Sequence, residues 1–342
     1  MAMTFETYEK QFRKKASKSG FSEDDIQKCL AYAEPILKKD LPVIYNTANL
    51  AALVGYRKNY LKRAALFTPY FYRKFFIKKK ATGKLREIKE PLPSLKEIQI
   101  WILNNILYAI QPSKFAKAYV PERNIIDNVR YHRHKNKVVS LDIKDFFPSV
   151  KRPYVEQIFL KMGYSSNVSN LLSKLCCCEE ILPQGAPTSP YLSNIYLIGF
   201  DNYIAAYCKG FNIRYTRYAD DMFFSGDFDE LPLINFVEHE LSKIHLILNL
   251  EKVKVMEPNM RQVVTGIVVN KTIQIPKSQR LFIRQEVYYI KNFGLSEHLI
   301  RTKNNRANYL KHLLGKINYA LMINPQDLNM KEYKEYISTY LS

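Results

Sequence analysis

Two short runs of aromatic and β-branched residues meet at an acidic pair, and this junction restricts the possible folds more than any other feature of the sequence. Residues 212–217 precede Tyr218-Ala219-Asp220-Asp221, and residues 222–226 follow it. Runs of this composition favour β-strands, so the pattern predicts a hairpin with Asp220 and Asp221 at its turn. Two carboxylates on a tight hairpin raise each other's pKa unless a cation lies nearby. The pair is therefore a candidate metal site, and a solvated Asp-Asp turn is the simpler alternative.

A third carboxylate strengthens the metal-site interpretation. Asp142 lies at the end of the apolar run 137–143, which is typical of a buried strand. A charge at a buried strand end is costly unless it is paired or bound to a metal. Asp142, Asp220 and Asp221 would supply carboxylates to two Mg²⁺ ions, which stabilise the attacking and leaving oxygens of a phosphoryl displacement. Because successive strand residues point to opposite faces, Asp220 is the stronger candidate for direct metal contact and Asp221 contributes mainly its charge.

Charge and composition indicate a folded protein with a polyanionic partner. The 342 residues are 47% apolar and carry a formal net charge of +20 at pH 7. Residues 57–89 hold 12 Lys or Arg, a single acid and seven aromatics. We expect these aromatics to lie in the core and the cations to meet a polyanion. Residues 271–342, with 12 Lys or Arg and five acids, form a second candidate nucleic-acid surface.

The sequence shows no sign of export or membrane insertion. No run approaches the roughly 18 apolar residues that span a membrane, and residues 1–18 lack the apolar centre of a signal peptide. The five cysteines, three of them consecutive at 176–178, show no disulfide framework. We therefore expect reduced cysteines and a cytoplasmic protein without a membrane partner.

The pattern of elements predicts an α+β fold with a central sheet and helical segments at both ends of the chain. Helical periodicity marks residues 1–75, with a helix start near Ser22 and Asp24-Asp25. Residues 76–92 should form a β-hairpin that turns at Ala81-Thr82-Gly83. Further helices are expected at 93–111, from Ser189-Pro190 to about Tyr207, within 228–248, and throughout 278–342 with a break at Asn324-Pro325.

Six segments, in order along the chain, resemble the motifs of a reverse transcriptase. They are 84–88 with Pro91, 118–120, 141–150, 182–190 with 192–194, 218–221 and 248–252. The resemblance implies an RNA-directed DNA polymerase with a right-hand fold. Its fingers would be 1–135, with a part continuing to about 190, its palm 136–275 and its helical thumb 276–342. The catalytic residues would be Asp142, Asp220 and Asp221, which would bind two Mg²⁺ ions, or Mn²⁺, together with the backbone carbonyl of Ile143.

The same resemblance implies a set of nucleotide-binding residues. Lys84 and Arg86 would neutralise the triphosphate, and Gln184 with Gly185 would lie at the sugar or base. Phe147 aligns with the aromatic that excludes a 2′-hydroxyl, and Asp145 and Phe146 precede it. Outside this motif context, an ordinary Pro/Gly loop and an ordinary core aromatic are the simpler interpretations.

Two further patches resemble bacterial retron reverse transcriptases. Residues 128–132 resemble their Asn-Ala-x-x-His signature with Val129 in place of Ala, and 264–266 match their Val-Thr-Gly. Ala118-Tyr119 and His245 depart from the family pattern. His132 would contact RNA or brace a loop, and with His134 it offers too few ligands for zinc. The implied RNA-binding residues are Asn128, His132, Val264, Thr265, Gly266, Lys252, Lys277, Arg280, Arg284, Arg301, Lys303, Arg306 and Lys311.

A retron-type enzyme is expected to use a cognate structured non-coding RNA as both template and primer. It would start from an internal 2′-hydroxyl and join deoxynucleoside triphosphates into a branched RNA–DNA product. Such enzymes often act in anti-phage defence with an effector protein, and a host RNase H would remove template RNA because no nuclease-like segment is recognisable. Two alternatives stay open, namely an RNA-binding scaffold on a polymerase fold and the reverse transcriptase of a group II intron or diversity-generating element.

Overall fold

A computed structural model describes residues 4–78 and 83–341, and the chain divides into two compact units. The first unit comprises Met1–Pro121, Ile143–Tyr203 and Val237–Leu248. The second comprises Glu122–Asp142, Ile204–Phe236 and Asn249–Ser342. The fingers, palm and thumb boundaries given above stay a prediction.

Helices dominate the described residues. In chain order they are α1 (Phe5–Lys18), α2 (Glu23–Leu37), α3 (Thr47–Val54), α4 (Lys58–Leu66), α5 (Pro93–Asn105), α6 (Ile125–Val129), α7 (Phe146–Ser149), α8 (Arg152–Met162), α9 (Ser166–Cys176), α10 (Ser189–Tyr196), α11 (Ile198–Gly210), α12 (Glu230–Lys243), α13 (Lys277–Phe293), α14 (Leu295–Arg301), α15 (Tyr309–Ile323) and α16 (Leu328–Ser338). Short 3₁₀ turns occupy Thr68–Phe71, Leu107–Ala109, Arg130–His132 and Leu250–Lys252. Among the residues that the structure describes, no helix has both the length and the apolar composition needed to cross a membrane.

The strands form three antiparallel sheets. They are β1 (Tyr72–Lys78), β2 (Leu85–Pro91), β3 (Lys137–Asp142), β4 (Arg214–Tyr218), β5 (Asp221–Gly226), β6 (Lys254–Met256), β7 (Val263–Val264) and β8 (Ile267–Val268). β1 pairs with β2, β7 pairs with β8, and the central sheet has the order β4-β5-β3-β6. Strand β3 lies inside this sheet, and its three apolar residues, Val138, Val139 and Leu141, are completely buried.

Local capping chemistry sets several helix starts. The Ser22 side chain accepts the Asp25 N–H and begins α2 at Glu23, which confirms the predicted start. Asn124 and Asp127 form a reciprocal capping box at α6. The predicted helix after Ser189 is interrupted, because α10 ends at Tyr196 and α11 begins at Ile198.

The β1–β2 ribbon contradicts the expected burial of the aromatic residues. The hairpin begins at Tyr72, four residues earlier than predicted, and the predicted turn residues Ala81-Thr82 lie outside the described residues. Four of the seven aromatics in 57–89 are exposed, namely Phe67, Tyr70, Phe75 and Phe76. A two-stranded ribbon supplies too little apolar surface to bury side chains on both of its faces. The prediction of core positions is therefore wrong for these four residues, whereas Tyr72 is buried as predicted.

The second unit is built around one hydrophobic cluster. Val138 of β3 and Phe223 of β5 belong to it, as do Ile283 and Val287 of α13 and Ile317 of α15. The antiparallel register places Val138 and Phe223 on one face of the sheet, since Val138 pairs with Ser225 two residues further along β5. This face of the central sheet and the C-terminal helices therefore share a core.

Candidate active site

The acidic pair lies where the sequence predicted, at a tight hairpin between two strands. Tyr218 and Asp221 are register partners, so Ala219 and Asp220 form a two-residue loop. Ala219 has a φ of 60°, the left-handed conformation that such short loops require. Asp221 is the first residue of β5, and its position is therefore fixed by the sheet.

The third carboxylate is the register partner of the second. Asp142, the last residue of β3, pairs with Asp221 at the start of β5. Residues directly opposite each other in an antiparallel pair project from the same face, with their Cβ atoms about 5 Å apart. The structure thus brings Asp142 and Asp221 together, with Asp220 in the adjoining loop. We call these three residues the acid end of the sheet.

Two residues that follow α12, Asn249 and Lys252, hold Asp142, and the sequence interpretation missed this role. Lys252 Nζ lies 2.8 Å from Asp142 Oδ1 and 2.9 Å from Oδ2. Asn249 donates its side-chain amide to the same Oδ1 at 3.1 Å and its backbone N–H to the Asp142 carbonyl at 2.8 Å. Lys252 had been assigned to RNA. The spacing Asn-x-x-Lys after an apolar run was the available signal.

The charged groups at the acid end shift one another's pKa values. Burial, followed by the charges of Asp220 and Asp142, raises the pKa of Asp221 to about 7, against the opposing charges of Lys252 and Lys254. Desolvation disfavours the Lys252 ammonium. Its hydrogen bond with Asp142 and the surrounding carboxylates outweigh this and raise the pKa of Lys252 above its ordinary value. The three carboxylates lie close enough to oppose the ionisation of one of them. They therefore need a neighbouring positive charge if all three are to be ionised together.

The donor chemistry of the acid end fits hard divalent cations. Carboxylate oxygens are the ligands that Mg²⁺ prefers, and substrate phosphates commonly complete its coordination. Among the described residues, however, no group of three or more His, Cys, Asp or Glu side chains forms a ready-made metal cage. At Asp142, the Lys252 ammonium supplies the positive charge. A metal ion would have to compete with Lys252 for this carboxylate.

A buried polar network links the two strands of the acidic hairpin, β4 and β5. His132 Nδ1 is 2.8 Å from Ser225 Oγ, and His132 Nε2 is 2.7 Å from Thr216 Oγ1. The Thr216 hydroxyl donates to Asn128 Oδ1 at 2.5 Å. Thr216 belongs to β4 and Ser225 to β5, so the His132 ring joins the two strands of the acidic hairpin.

This network corrects two predicted RNA contacts. The side chains of Asn128 and His132 are both 0% exposed, so neither contacts RNA in this structure. The other role considered for His132, bracing a neighbouring segment, agrees with its hydrogen bonds. Two hydroxyl residues at strand positions next to aromatic residues, Thr216 and Ser225, were the signal that could have revealed a buried polar partner.

The Val-Thr-Gly patch is a hairpin turn. Val264 pairs with Ile267, which leaves Thr265 and Gly266 as a two-residue loop with φ values of 47° and 81°. Positive φ at both positions is typical of a type I′ turn, and glycine is favoured there. Val264 is completely buried, so its assignment to RNA is also wrong, whereas Gly266 is exposed.

Most of the basic residues that the sequence assigns to RNA in the C-terminal segment are exposed to solvent. Exposed side chains are those of Lys277, Arg284, Arg301, Lys303, Arg306 and Lys311. Arg280 differs, because it pairs with the buried Asp327 at the start of α16. Its first role is therefore to join α13 to α16.

In the first unit, the structure brings two predicted nucleotide-binding segments together. The Lys89 N–H donates to the Gln184 carbonyl at 2.9 Å. A Cβ atom on Gly185 would lie 2.9 Å from both the Lys89 carbonyl oxygen and Ile88 Cγ2, and its φ is 127°. Glycine is thus required here for close backbone packing against β2. Lys84 and Arg86 lie exposed on the same ribbon.

The aromatic pair after Asp142 is also ordered by local packing. Phe147 is half-buried, with its ring 5.5 Å from that of Phe146 and 6.3 Å from that of Tyr119. Asp145 adopts a left-handed φ of 45° at the start of α7. Ile143, whose carbonyl was assigned to the metal, forms a bridge with Leu248.

Known proteins resemble this chain over much of its length. The family described as "Reverse transcriptase (RNA-dependent DNA polymerase)" matches residues 77–305. Retron Ec86 reverse transcriptase of Escherichia coli is 30% identical over 254 residues, covering 73% of this chain and 79% of that protein. Retron Mx65 reverse transcriptase of Myxococcus xanthus is 29% identical over 315 residues, covering 84% and 70%. Retron Ec83 reverse transcriptase of E. coli is 29% identical over 288 residues, covering 79% and 89%.

Among solved structures, telomerase from Candida albicans, in complex with a fragment of telomeric RNA, gives a TM-score of 0.47 at 10% identity. The match covers 78% of this chain and 60% of that chain.

Proposed function

Because this chain belongs to the reverse transcriptase family and is a retron-type RNA-directed DNA polymerase with a right-hand polymerase fold, we propose that it copies part of a cognate structured non-coding RNA into DNA. The RNA serves as template and primer, and synthesis begins at one of its internal 2′-hydroxyls. The product is a branched RNA–DNA molecule. In the cytoplasm this molecule works with an effector protein in anti-phage defence, after a host RNase H has removed template RNA.

The strongest support comes from the register of β3 and β5. It fixes Asp142 opposite Asp221, with Asp220 in the next loop, in a chain whose relatives are retron reverse transcriptases. Reverse transcriptases generally use divalent metal ions. Asp142, Asp220, Asp221 and the Ile143 carbonyl would hold two Mg²⁺ ions, or Mn²⁺. These ions would supply positive charge to the attacking and leaving oxygens.

The chain's own residues prepare the acid end for this task. Lys252 neutralises Asp142, a task that a bound cation would share, and Asn249 keeps Oδ1 of that carboxylate in a fixed direction. The His132 network joins the strands that carry Asp220 and Asp221, so it acts as a positioning device. Preorganised charge of this kind avoids reorganisation when the substrate arrives.

The substrate contacts follow the family motifs. Lys84 and Arg86 bind the triphosphate, since exposed cations suit phosphate and the Arg fork suits it best. Gln184 and Gly185 lie at the sugar or base, and Phe147, with Asp145 and Phe146, discriminates against a 2′-hydroxyl. The RNA is held by Thr265 and Gly266 and by the basic residues of the C-terminal segment, namely Lys277, Arg284, Arg301, Lys303, Arg306 and Lys311.

A primer-extension assay with matched variants tests the proposal. The purified protein, with the RNA that co-purifies with it, Mg²⁺ and labelled deoxynucleoside triphosphates, should yield DNA that stays joined to RNA on a denaturing gel. Asp220→Asn should lower incorporation at least about a hundredfold and leave RNA retention nearly unchanged, because it removes charge from the acid end only. Asp227→Asn is the control, since Asp227 is an exposed acid just beyond the far end of β5. Equal incorporation by Asp220→Asn and wild type would refute the assignment of the acid end.

A further inference from the structure

A groove between two C-terminal helices is lined by ten residues, of which only Lys311 has a role in the function proposed above. It lies between the first half of α13 and the middle of α15, within the second unit, and has a volume of about 700 Å³. Pockets that take small ligands commonly measure roughly 300–1,000 Å³. The groove is therefore large enough for a nucleotide-sized group.

The floor of the groove is apolar, and each of the two helices that form its walls carries an exposed aromatic ring. Ile275 and Ile283 are buried at the base. Phe282 on α13 is 41% exposed and Tyr319 on α15 is 39% exposed, and both line the groove. Gly315 faces open space, because a Cβ atom there would have no neighbour within 4 Å. The small residue on α15 thus leaves room beside the Phe282 ring.

The polar groups of the groove are cationic or neutral. Lys316 Nζ lies 3.9 Å from the centroid of the Phe282 ring, and Lys311 is exposed on the rim. Desolvation and the charges of Arg306 and Lys316 hold the pKa of His312 below its ordinary value, so the positive charge comes from the lysines. None of the described residues that line the groove is acidic. This charge is complementary to phosphate.

We propose that the α13–α15 groove binds an unpaired nucleotide of RNA, with the base on Phe282 and the adjoining phosphate on Lys311 and Lys316. The proposal rests on the function proposed above and deepens it, because it names which part of a structured RNA the C-terminal helices recognise. Aromatic side chains accept unstacked bases on their faces, and flanking cations follow the backbone.

An unpaired nucleotide fits the groove better than a double helix does. Paired bases are stacked inside a duplex and cannot reach an apolar floor, so a duplex would use only the lysines. An apolar partner peptide would use only the floor and the ring, and would leave two ammonium groups at the edge of its binding site without counter-charge. A nucleotide uses the ring, the floor and both cations.

Two phenylalanines on the same helix provide a matched test. Phe282 is 41% exposed beneath Lys316, and Phe293, outside the groove, is 45% exposed beneath Arg301 at 4.8 Å. The probes are a short labelled single-stranded RNA and the blunt RNA duplex of the same sequence. Phe282→Ala should weaken binding of the single strand roughly tenfold and leave duplex binding unchanged, since base stacking on an aromatic ring contributes about that much. Phe293→Ala should change neither.

Filling the groove gives a second test that does not remove any side chain. Gly315→Leu should block the space beside Phe282 and weaken single-strand binding about as much as Phe282→Ala does. Gly315→Ala occupies little of the groove and should bind like wild type. Thermal melting of each variant shows whether the fold is kept. The single strand carrying 4-thiouridine should cross-link to peptides of α13 and α15 in wild type but not in Gly315→Leu.

The outcomes separate this proposal from the polymerase assignment. If wild type extends primers while Phe282→Ala binds the single strand as tightly as Phe293→Ala does, the groove proposal alone fails. Equal weakening of the single strand and the duplex would also overturn it, because that pattern reports charge without base recognition. Loss of primer extension in wild type would instead contradict the proposed function.

Discussion

The acid end of the sheet and the β1–β2 ribbon carry charge in opposite ways. At the acid end, Asp142 is 6% exposed and is satisfied by Lys252 and Asn249. On the ribbon, the charged residues from Arg73 to Arg86 that the structure describes are exposed, and an ion pair joins the exposed Arg73 to the half-buried Glu90. Buried charge must be paired to be tolerated, whereas exposed ion pairs contribute only about 0–1 kcal/mol.

This contrast indicates which of the two regions tolerates amino-acid substitutions. At the acid end, backbone register, carboxylates and the buried His132 network depend on one another, so single substitutions should have large effects. On the ribbon, most side chains touch little of the protein, so substitutions should leave the fold intact. A surface that is free to change in this way suits contacts with varied substrates.

Removing the His132 ring is the most severe test of this contrast. His132→Ala leaves the buried Ser225 hydroxyl without the ring, while the Thr216 hydroxyl keeps Asn128 Oδ1 as its acceptor, and opens a cavity against the face of β4 and β5. Unsatisfied buried groups cost about 1–3 kcal/mol each, and the cavity adds to this. We expect the free energy of unfolding, measured by urea denaturation, to fall by about 3–4 kcal/mol. Turnover should fall with it, because the hairpin that carries Asp220 and Asp221 loses its brace.

The control for His132 is a histidine on the surface. His239→Ala, on the exposed side of α12, should change the stability by less than about 0.5 kcal/mol. His132→Gln, whose amide can also donate and accept, should recover part of the lost stability and turnover. A His132→Ala variant of normal stability that fails to bind RNA would contradict the positioning role and restore the direct RNA contact.

Neutralising Asp221 measures how much its negative charge destabilises the folded protein. We expect the change in the free energy of unfolding to be of intermediate size. The pKa of Asp221 is about 7 in the folded chain, against an ordinary value of 3.8, so the folded state binds this proton more tightly. Wild-type stability therefore falls as pH rises from about 4 to 7, and the full penalty is present above pH 7. Asp221→Asn lacks this penalty. In metal-free buffer at pH 8 it should be more stable than wild type by about 1–3 kcal/mol, and equal to it near pH 4.

Divalent cations should reduce the stability advantage of Asp221→Asn. Mg²⁺ or Mn²⁺ bound at the acid end stabilises the wild-type folded state and should narrow the gap to Asp221→Asn at pH 8. If the difference in stability between wild type and Asp221→Asn does not depend on pH, the pKa of Asp221 is not raised in the folded chain. Thermal melting across pH, with and without Mn²⁺, measures both effects.

The contrast between the two regions also shows what the sequence could reveal. The hairpin at Asp220, the strand ending at Asp142 and the helix start at Ser22 were predicted because local composition and capping determine them. The pairing of Asp142 with Asp221 depends on strands about eighty residues apart in sequence, and composition alone does not set that register.

Burial was the less predictable quantity. Phe75 and Phe76 were placed in the core because of their residue type, yet a two-stranded ribbon leaves them exposed. The resemblance to the retron signature predicts RNA contacts for Asn128 and His132, yet Thr216 and Ser225 supply partners for them inside the protein. In both cases the deciding partners belong to other elements of the chain. Residue type predicts burial only where the neighbours follow from the local sequence.

The smallest expected effect belongs to the ribbon, and one strand contains both the test and its control. Phe76→Ala should change the free energy of unfolding by less than about 0.5 kcal/mol, because this ring is 63% exposed. Tyr72→Ala should cost about 3 kcal/mol or more, because Tyr72 is 7% exposed and its hydroxyl accepts a hydrogen bond from Gln99 at 2.7 Å. Both residues lie on the same face of β1, so strand propensity and position are matched. If Phe76→Ala destabilises the protein as much as Tyr72→Ala does, the ribbon is a structural element like the acid end, and the contrast between the two regions fails.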